Sequence, residues 1–213
     1  MSYERPSPLT FSDRELFDLA LAWIVLSVAF ALLLAPIHLG RASPGHFATM
    51  IALSFVTVGV AFLLHELAHK VVAVRFGQVA AFRADYQMLF LAIMSALIGF
   101  LFAAPGAVYH RGQITYRENG LISVAGPVTN LILAGLFLPV LVGTRVLEGP
   151  ALLQQIGHMG VVINLFLAAF NMIPFGPLDG KSVLEWSKPV FAVTFATCAG
   201  LLALFYLEFG LPF

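Results

Sequence analysis

Apolar residues in this chain come in runs of about twenty, separated by short clusters of proline, glycine and charge. The first run, Leu16 to Ile37, follows Ser12-Asp13-Arg14-Glu15, a capping-box pattern that predicts a helix start. About 20 such residues cross a hydrocarbon core of about 30 Å, so the run is long enough to span a membrane. A loop marked by Pro36, Gly40, Pro44 and Gly45 leads to a second run, Phe47 to Val74, closed by Lys70 and Arg75. Gln78 to Arg83 is short and mixed, a candidate strand. A third run, Met88 to Ala104, ends in Ala104-Pro105-Gly106-Ala107-Val108-Tyr109, and the polar stretch His110 to Asn119 follows. The fourth begins at Leu121, contains Ala125-Gly126-Pro127-Val128-Thr129-Asn130 and continues to Val146. The fifth, Ala151 to Ile173, places Asn164 and Asn171 seven apart on one helical face before Pro174-Phe175-Gly176-Pro177-Leu178-Asp179-Gly180 breaks it. The last run is Pro189 to Leu211.

Composition agrees with this pattern. The chain is 60% hydrophobic and 10% charged, with a mean hydropathy of +0.95, against roughly 25% charged residues in a soluble domain. The fold class expected is an all-α polytopic membrane protein, a bundle of five to six transmembrane helices with a short re-entrant or β segment after the second run. Net charge is zero and the basic residues are dispersed, which excludes nucleic acid as an expected partner and leaves the lipid bilayer. Met1 to Asp18 has neither the basic region nor the apolar core of a secretory signal, so it is expected to be retained. The lone Cys198 can form no intrachain disulfide and reads as core filler. A single membrane domain is expected to fill residues 1–213.

One stretch in the second run carries chemistry, His65-Glu66-Leu67-Ala68-His69. Histidines four apart project from one helical face and can grip one ion. Two neutral imidazoles suit Zn²⁺, and the intervening Glu66 is placed to take a proton from water. The competing reading pairs these side chains with polar groups of a neighbouring helix, but ionisable residues at membrane depth are functional candidates by default. His38 and His46 lie in or near a loop and read as solvated.

A catalytic zinc normally takes three protein ligands. Asp179 is the best candidate for the third, because two prolines and two glycines interrupt a membrane helix around it, and irregular backbone at depth must be buried in protein or line a watery cavity. Asp85 and Glu185 compete from positions nearer the flanks. If Asp179 is to meet His65 and His69, all three must come from one side of the membrane. Six full crossings would put Asp179 on the wrong side, so the third run and its tail are expected to make no net crossing. Charge favours the same topology. With a re-entrant third run one side holds Arg5, Arg14, Lys70, Arg75, Arg83, Arg111, Arg117, Lys181 and Lys188, and the other only Arg41 and Arg145. The positive-inside rule then makes the first side cytosolic.

Taken together, His65-Glu66-Leu67-Ala68-His69, Ala125-Gly126-Pro127 with Asn130, and Asn171 followed by Leu178-Asp179-Gly180 resemble the site-2 protease family of intramembrane zinc metalloproteases, in a minimal form without a peptide-binding or nucleotide-sensing domain. The resemblance implies His65, His69 and Asp179 as zinc ligands, Glu66 as catalytic base, and Asn171 as a polar group near the substrate or the tetrahedral intermediate. It implies as substrate a transmembrane protein cut within its membrane helix. The localisation expected is the cell membrane, with the side given by the basic residues making the site open to the cytosol. Ala104-Pro105-Gly106-Ala107-Val108 resembles the family's re-entrant strand, whose edge could pair with an unwound substrate. For Asn171 an interhelical hydrogen bond remains the alternative role. The alternatives for the whole chain are a metal-handling transporter and a non-catalytic scaffold.

Overall fold

A computed structural model describes residues 9–102 and 104–210. Among the described residues eight α-helices and one small sheet follow in chain order: α1 (Asp13–Leu34), α2 (Pro44–Ser54), α3 (Val60–Arg75), β1 (Val79–Ala84), α4 (Tyr86–Leu97), β2 (Gly106–Arg111), α5 (Tyr116–Val146), α6 (Ala151–Asn171), α7 (Asp179–Trp186) and α8 (Lys188–Phe209). α2 and α3 are joined without a break through a π-helical turn, Phe55–Gly59, and form one 32-residue span. With α1, α5, α6 and α8 this makes five apolar helices long enough to cross a bilayer among the described residues. The protein is an all-α polytopic membrane protein.

The third apolar run does not cross. α4 has 12 residues, about 18 Å of helix at 1.5 Å per residue, too short for a hydrocarbon core. Asp85 caps its first turn, accepting from the backbone N–H groups of Gln87 and Met88. The chain then returns as β2, which pairs antiparallel with β1 from Val79↔Arg111 to Ala84↔Gly106. At Gly106, φ is +151°, and a Cβ would run into the carbonyl of Arg83. Only glycine lets the returning strand start this close to its partner.

Small residues set the other close contacts. A side chain on Gly157 would meet the Leu141 backbone, and one on Gly160 the Phe137 ring, so α5 and α6 pack against each other at two glycines. The π turn is held from α1: the Trp23 indole N–H donates to the Phe55 carbonyl at 2.9 Å and its ring stacks on Phe55.

Two local expectations are corrected. Ser12 does cap α1, accepting from the Glu15 N–H at 3.2 Å, but the Glu15 carboxylate does not turn back to close a capping box. It reaches Lys70 instead, at 2.6 and 2.7 Å. The complete capping box stands at Thr115 and Glu118, so α5 starts at Tyr116, ahead of the apolar run at Leu121.

Candidate metal centre

The π turn sets the rotation of α3 into the bundle, and its inner face carries Phe62, His65, Glu66 and His69, all buried. α5 passes across this face with Gly126 at the contact. A Cβ there would lie 2.5 Å from His65 Nε2 and 2.6 Å from His69 Nε2. The glycine keeps open the space onto which both ring nitrogens face.

Asp179 comes from the chain that follows α6. α6 ends at Asn171, and the turns between it and α7 bring the chain back so that Asp179 begins α7. Gly180 lets that turn close on α6, since a Cβ there would strike the Met172 carbonyl. Asp179 Oδ2 sits 3.2 Å from His65 Nε2 and 3.4 Å from His69 Nε2. Residues 65, 69 and 179 thus converge as the sequence predicts. The competitors do not: Asp85 caps α4, and Glu185 lies exposed on α7. His38 bonds the Leu97 carbonyl at 2.7 Å.

The protonation of the two imidazoles follows from their other nitrogens. His69 Nδ1 lies 2.8 Å from the Ile122 carbonyl, which can only accept, so Nδ1 carries the proton. His65 Nδ1 lies 2.6 Å from Asn130 Oδ1. Asn130 Nδ2 donates to the Ala61 carbonyl and to Asn164 Oδ1, and Asn164 Nδ2 donates to the Gly160 carbonyl. That chain ends on an obligate acceptor, so every amide in it is oriented and His65 Nδ1 must donate. In their neutral forms both rings therefore point a bare Nε2 lone pair at Asp179 Oδ2, which has no hydrogen-bond partner of its own. Three lone pairs facing one another at this distance repel unless a cation lies among them. The donor set, two imidazole nitrogens and a carboxylate oxygen, is one that Zn²⁺ takes in catalytic sites. Among the described residues it is the one cluster of three such groups close enough to share an ion.

Glu66 is buried beside the trio, and its Oε2 is also unpartnered. A cavity of about 250 Å³ opens here, lined by His65, Glu66, His69 and Asp179, by Asn171, and by β2 residues including Gly106, Val108 and His110. Asn171 spends one amide hydrogen on the Leu167 carbonyl at 3.0 Å. Asn164, on the same helix, turns instead into the buried chain behind His65. Ile122 and Asn164 carry no signal in the sequence for these roles: one acts through a backbone carbonyl, and the other looks like any polar residue in a membrane helix.

Fold and site define a membrane-embedded metal-site protein of the His-Glu-x-x-His type. Comparison with known proteins narrows this. The chain is 39% identical over 185 residues to the candidate zinc metalloprotease MJ0611 of Methanocaldococcus jannaschii, covering 86% of this chain and 90% of that protein. It is 38% identical over 145 residues to the candidate zinc metalloprotease YwhC of Bacillus subtilis, covering 61% of this chain and 66% of the relative. The candidate zinc metalloprotease Rip3 of Mycobacterium tuberculosis is 30% identical over 123 residues, 58% of this chain but 28% of Rip3. No family model and no solved structure matches. With its motifs in order and this coverage, the chain belongs to the site-2 protease family, and its cofactor is Zn²⁺.

Proposed function

We propose that this protein is an intramembrane zinc metalloprotease that hydrolyses a peptide bond within a transmembrane segment of another membrane protein. The observation that carries the reading is the trio of bare acceptors, His65 Nε2, His69 Nε2 and Asp179 Oδ2, beside the unpartnered carboxylate of Glu66 in a cavity inside an apolar helix bundle. His65, His69 and Asp179 would hold the ion. When bound, Zn²⁺ supplies Lewis acidity, bringing the pKa of a water toward about 7.

Glu66 acts as general base and then general acid: it takes the proton as water attacks the scissile carbonyl, and gives it to the departing amine. Asn171 has a second amide hydrogen beyond the one given to Leu167, and in this reading donates it to the developing oxyanion. A helical substrate must first unwind, because its peptide groups are tied up internally. The free edge of β2 offers it a strand to pair with.

Lipid-side access supports the same reading. An apolar groove of about 680 Å³ between α1, α6 and α8 shares Phe30, Leu101, Phe166 and Phe170 with the cavity, so a membrane helix docked in the groove would lie against the side chains that border the site. The basic residues at the ends of α3, α5 and α7 support an opening on the cytosolic side, in a protein read as a single domain, residues 1–213, of the cell membrane.

The test is purified protein with a tagged transmembrane peptide. Wild type cleaves, a chelator stops it, and Glu66→Gln stops it while retaining zinc. Cleavage that survives Glu66→Gln removes the proposal.

A further inference from the structure

The residue directly after the second histidine is a lysine with almost no access to solvent. Lys70 is 2% exposed, and its Nζ donates to both carboxylate oxygens of Glu15, at 2.7 and 2.6 Å, and to the Thr10 carbonyl at 2.5 Å. It also sits 3.7 Å over the Phe11 ring. Glu15 is 1% exposed, and its Oε1 accepts a third bond, from the backbone N–H of Phe82 in β1 at 3.0 Å. One carboxylate therefore ties three elements together: α1, which carries it; α3, one residue from His69; and the inner edge of β1. Asp18 adds a second tie from α1, accepting from Tyr86, but only Glu15 extends the link to α3.

The Phe82 bond also fixes which groups of β2 are free. In an antiparallel pair, opposed residues alternate between exchanging ladder bonds and pointing their N–H and C=O outward. Phe82 gives its N–H to Glu15, and Asp85 N bonds the Pro105 carbonyl. The outward-pointing residues are therefore Phe82 on β1 and, opposite it and its i±2 neighbours, Gly106, Val108 and His110 on β2. Among the described residues the sheet has only these two strands, so that row of β2 groups has no strand partner. It also lines the metal cavity.

We infer that Glu15, seated by Lys70, is a ruler that acts through its bond to the Phe82 N–H. It sets the height of the β1/β2 sheet against α1 and the ion-holding helix packed beside it, and so selects which peptide bond of a strand paired to β2 lies at the ion. Glu15 and Lys70 are positioning residues that touch neither ion nor substrate. The inference rests on the proposed protease reading. Strand registers that keep the same side chains facing the cavity differ by two residues, about 6.6 Å along the strand. Loosening the ruler should therefore move the cut by two residues and not by one.

Two double variants separate this role from plain stabilisation, since both remove the buried charges. Glu15→Gln/Lys70→Met keeps a side-chain oxygen for the Phe82 N–H; Glu15→Met/Lys70→Met does not. Zinc content is measured first and is expected to be unchanged in both. Cleavage products of a tagged transmembrane peptide are then mapped by mass spectrometry. The Gln/Met form is expected to cut at the wild-type bond. The Met/Met form should lose about tenfold there, with the missing products at bonds two residues away. The same single cut in both forms overturns the inference, as does an equal loss in both. Failure of the wild type to cleave sinks the protease reading instead. In that case hydrogen exchange still decides the tie: the wild-type Phe82 amide should exchange as slowly as the laddered amides of the sheet and speed up in the Met/Met form only. Fast exchange of that amide in the wild type overturns the inference without any variant.

Discussion

Gly126 supplies no ligand and no proton, yet it borders both ion-facing ring nitrogens. The space a methyl group would take there is the space between the two Nε2 atoms. Gly126→Ala is therefore expected to leave a folded, membrane-inserted protein with little or no zinc, read directly as metal content per protein. Behind the ligands, Asn130→Ala removes the acceptor for His65 Nδ1 and frees the ring to rotate or change tautomer. Such partners typically contribute 10- to 100-fold in metal affinity. A loss of about that size is expected on titration with a competing chelator, and a smaller one for Asn164→Ala, one bond further back. His65, His69 and Asp179 were legible because helical spacing puts two on one face and a helix break announces the third. Asn164 and the Ile122 carbonyl were not, since a bond between helices has no period in the sequence and a carbonyl has no letter. Glu15 was read only through its neighbour Ser12, and its partner stands 55 residues away.

At the scale of elements, α4 and β2 carry the part of the fold that a count of apolar runs gets wrong. Apolar length alone gives six crossings; the required meeting of Asp179 with the histidines, and the distribution of basic residues, give five. Five is what the helix lengths bear out. What the sequence could not supply was strand phase, because either alternation of β2 suits a run as uniformly apolar as Ala104 to Tyr109. The phase follows from Phe82, and it makes a prediction. Val108→Pro deletes an outward N–H and leaves the ladder to β1 in place, so it should cut turnover at least tenfold with zinc retained. Tyr109→Pro deletes a ladder donor and should instead destabilise the hairpin, seen as faster amide exchange across residues 79–84. Equal turnover in wild type and Val108→Pro would show that substrate does not pair with this edge. Gly106, at its positive φ, is a poor site for the same test, since any side chain there disturbs both strands.

For the molecule as a whole, the five spans place Arg41 and Arg145 at one membrane face and Arg75, Arg111, Arg117 and Lys181 at the other. Single cysteines introduced at positions 41 and 112, in a form with Cys198 replaced, should label with impermeant thiol reagent from opposite sides of intact cells or inverted vesicles. Position 181 should follow 112. Lys70, which the sequence counts among the loop charges, is buried in its ion pair. Removing one partner of such a pair typically costs about 3–5 kcal/mol, because the survivor is left charged without a counterion. Glu15→Ala should accordingly lower the thermal unfolding midpoint in detergent far more than Lys181→Ala at the surface.

α6 meets the metal centre twice. Asn164, in its middle, locks the tautomer of one ligand through Asn130, and the turn at its end delivers Asp179. A nascent chain released before this hairpin has been inserted holds two imidazoles, one of them unbraced, and no carboxylate to complete the set. Loading with zinc therefore has to wait until α6 and the turn to Asp179 are in place, and a metal-bound molecule certifies that this step of its assembly is done.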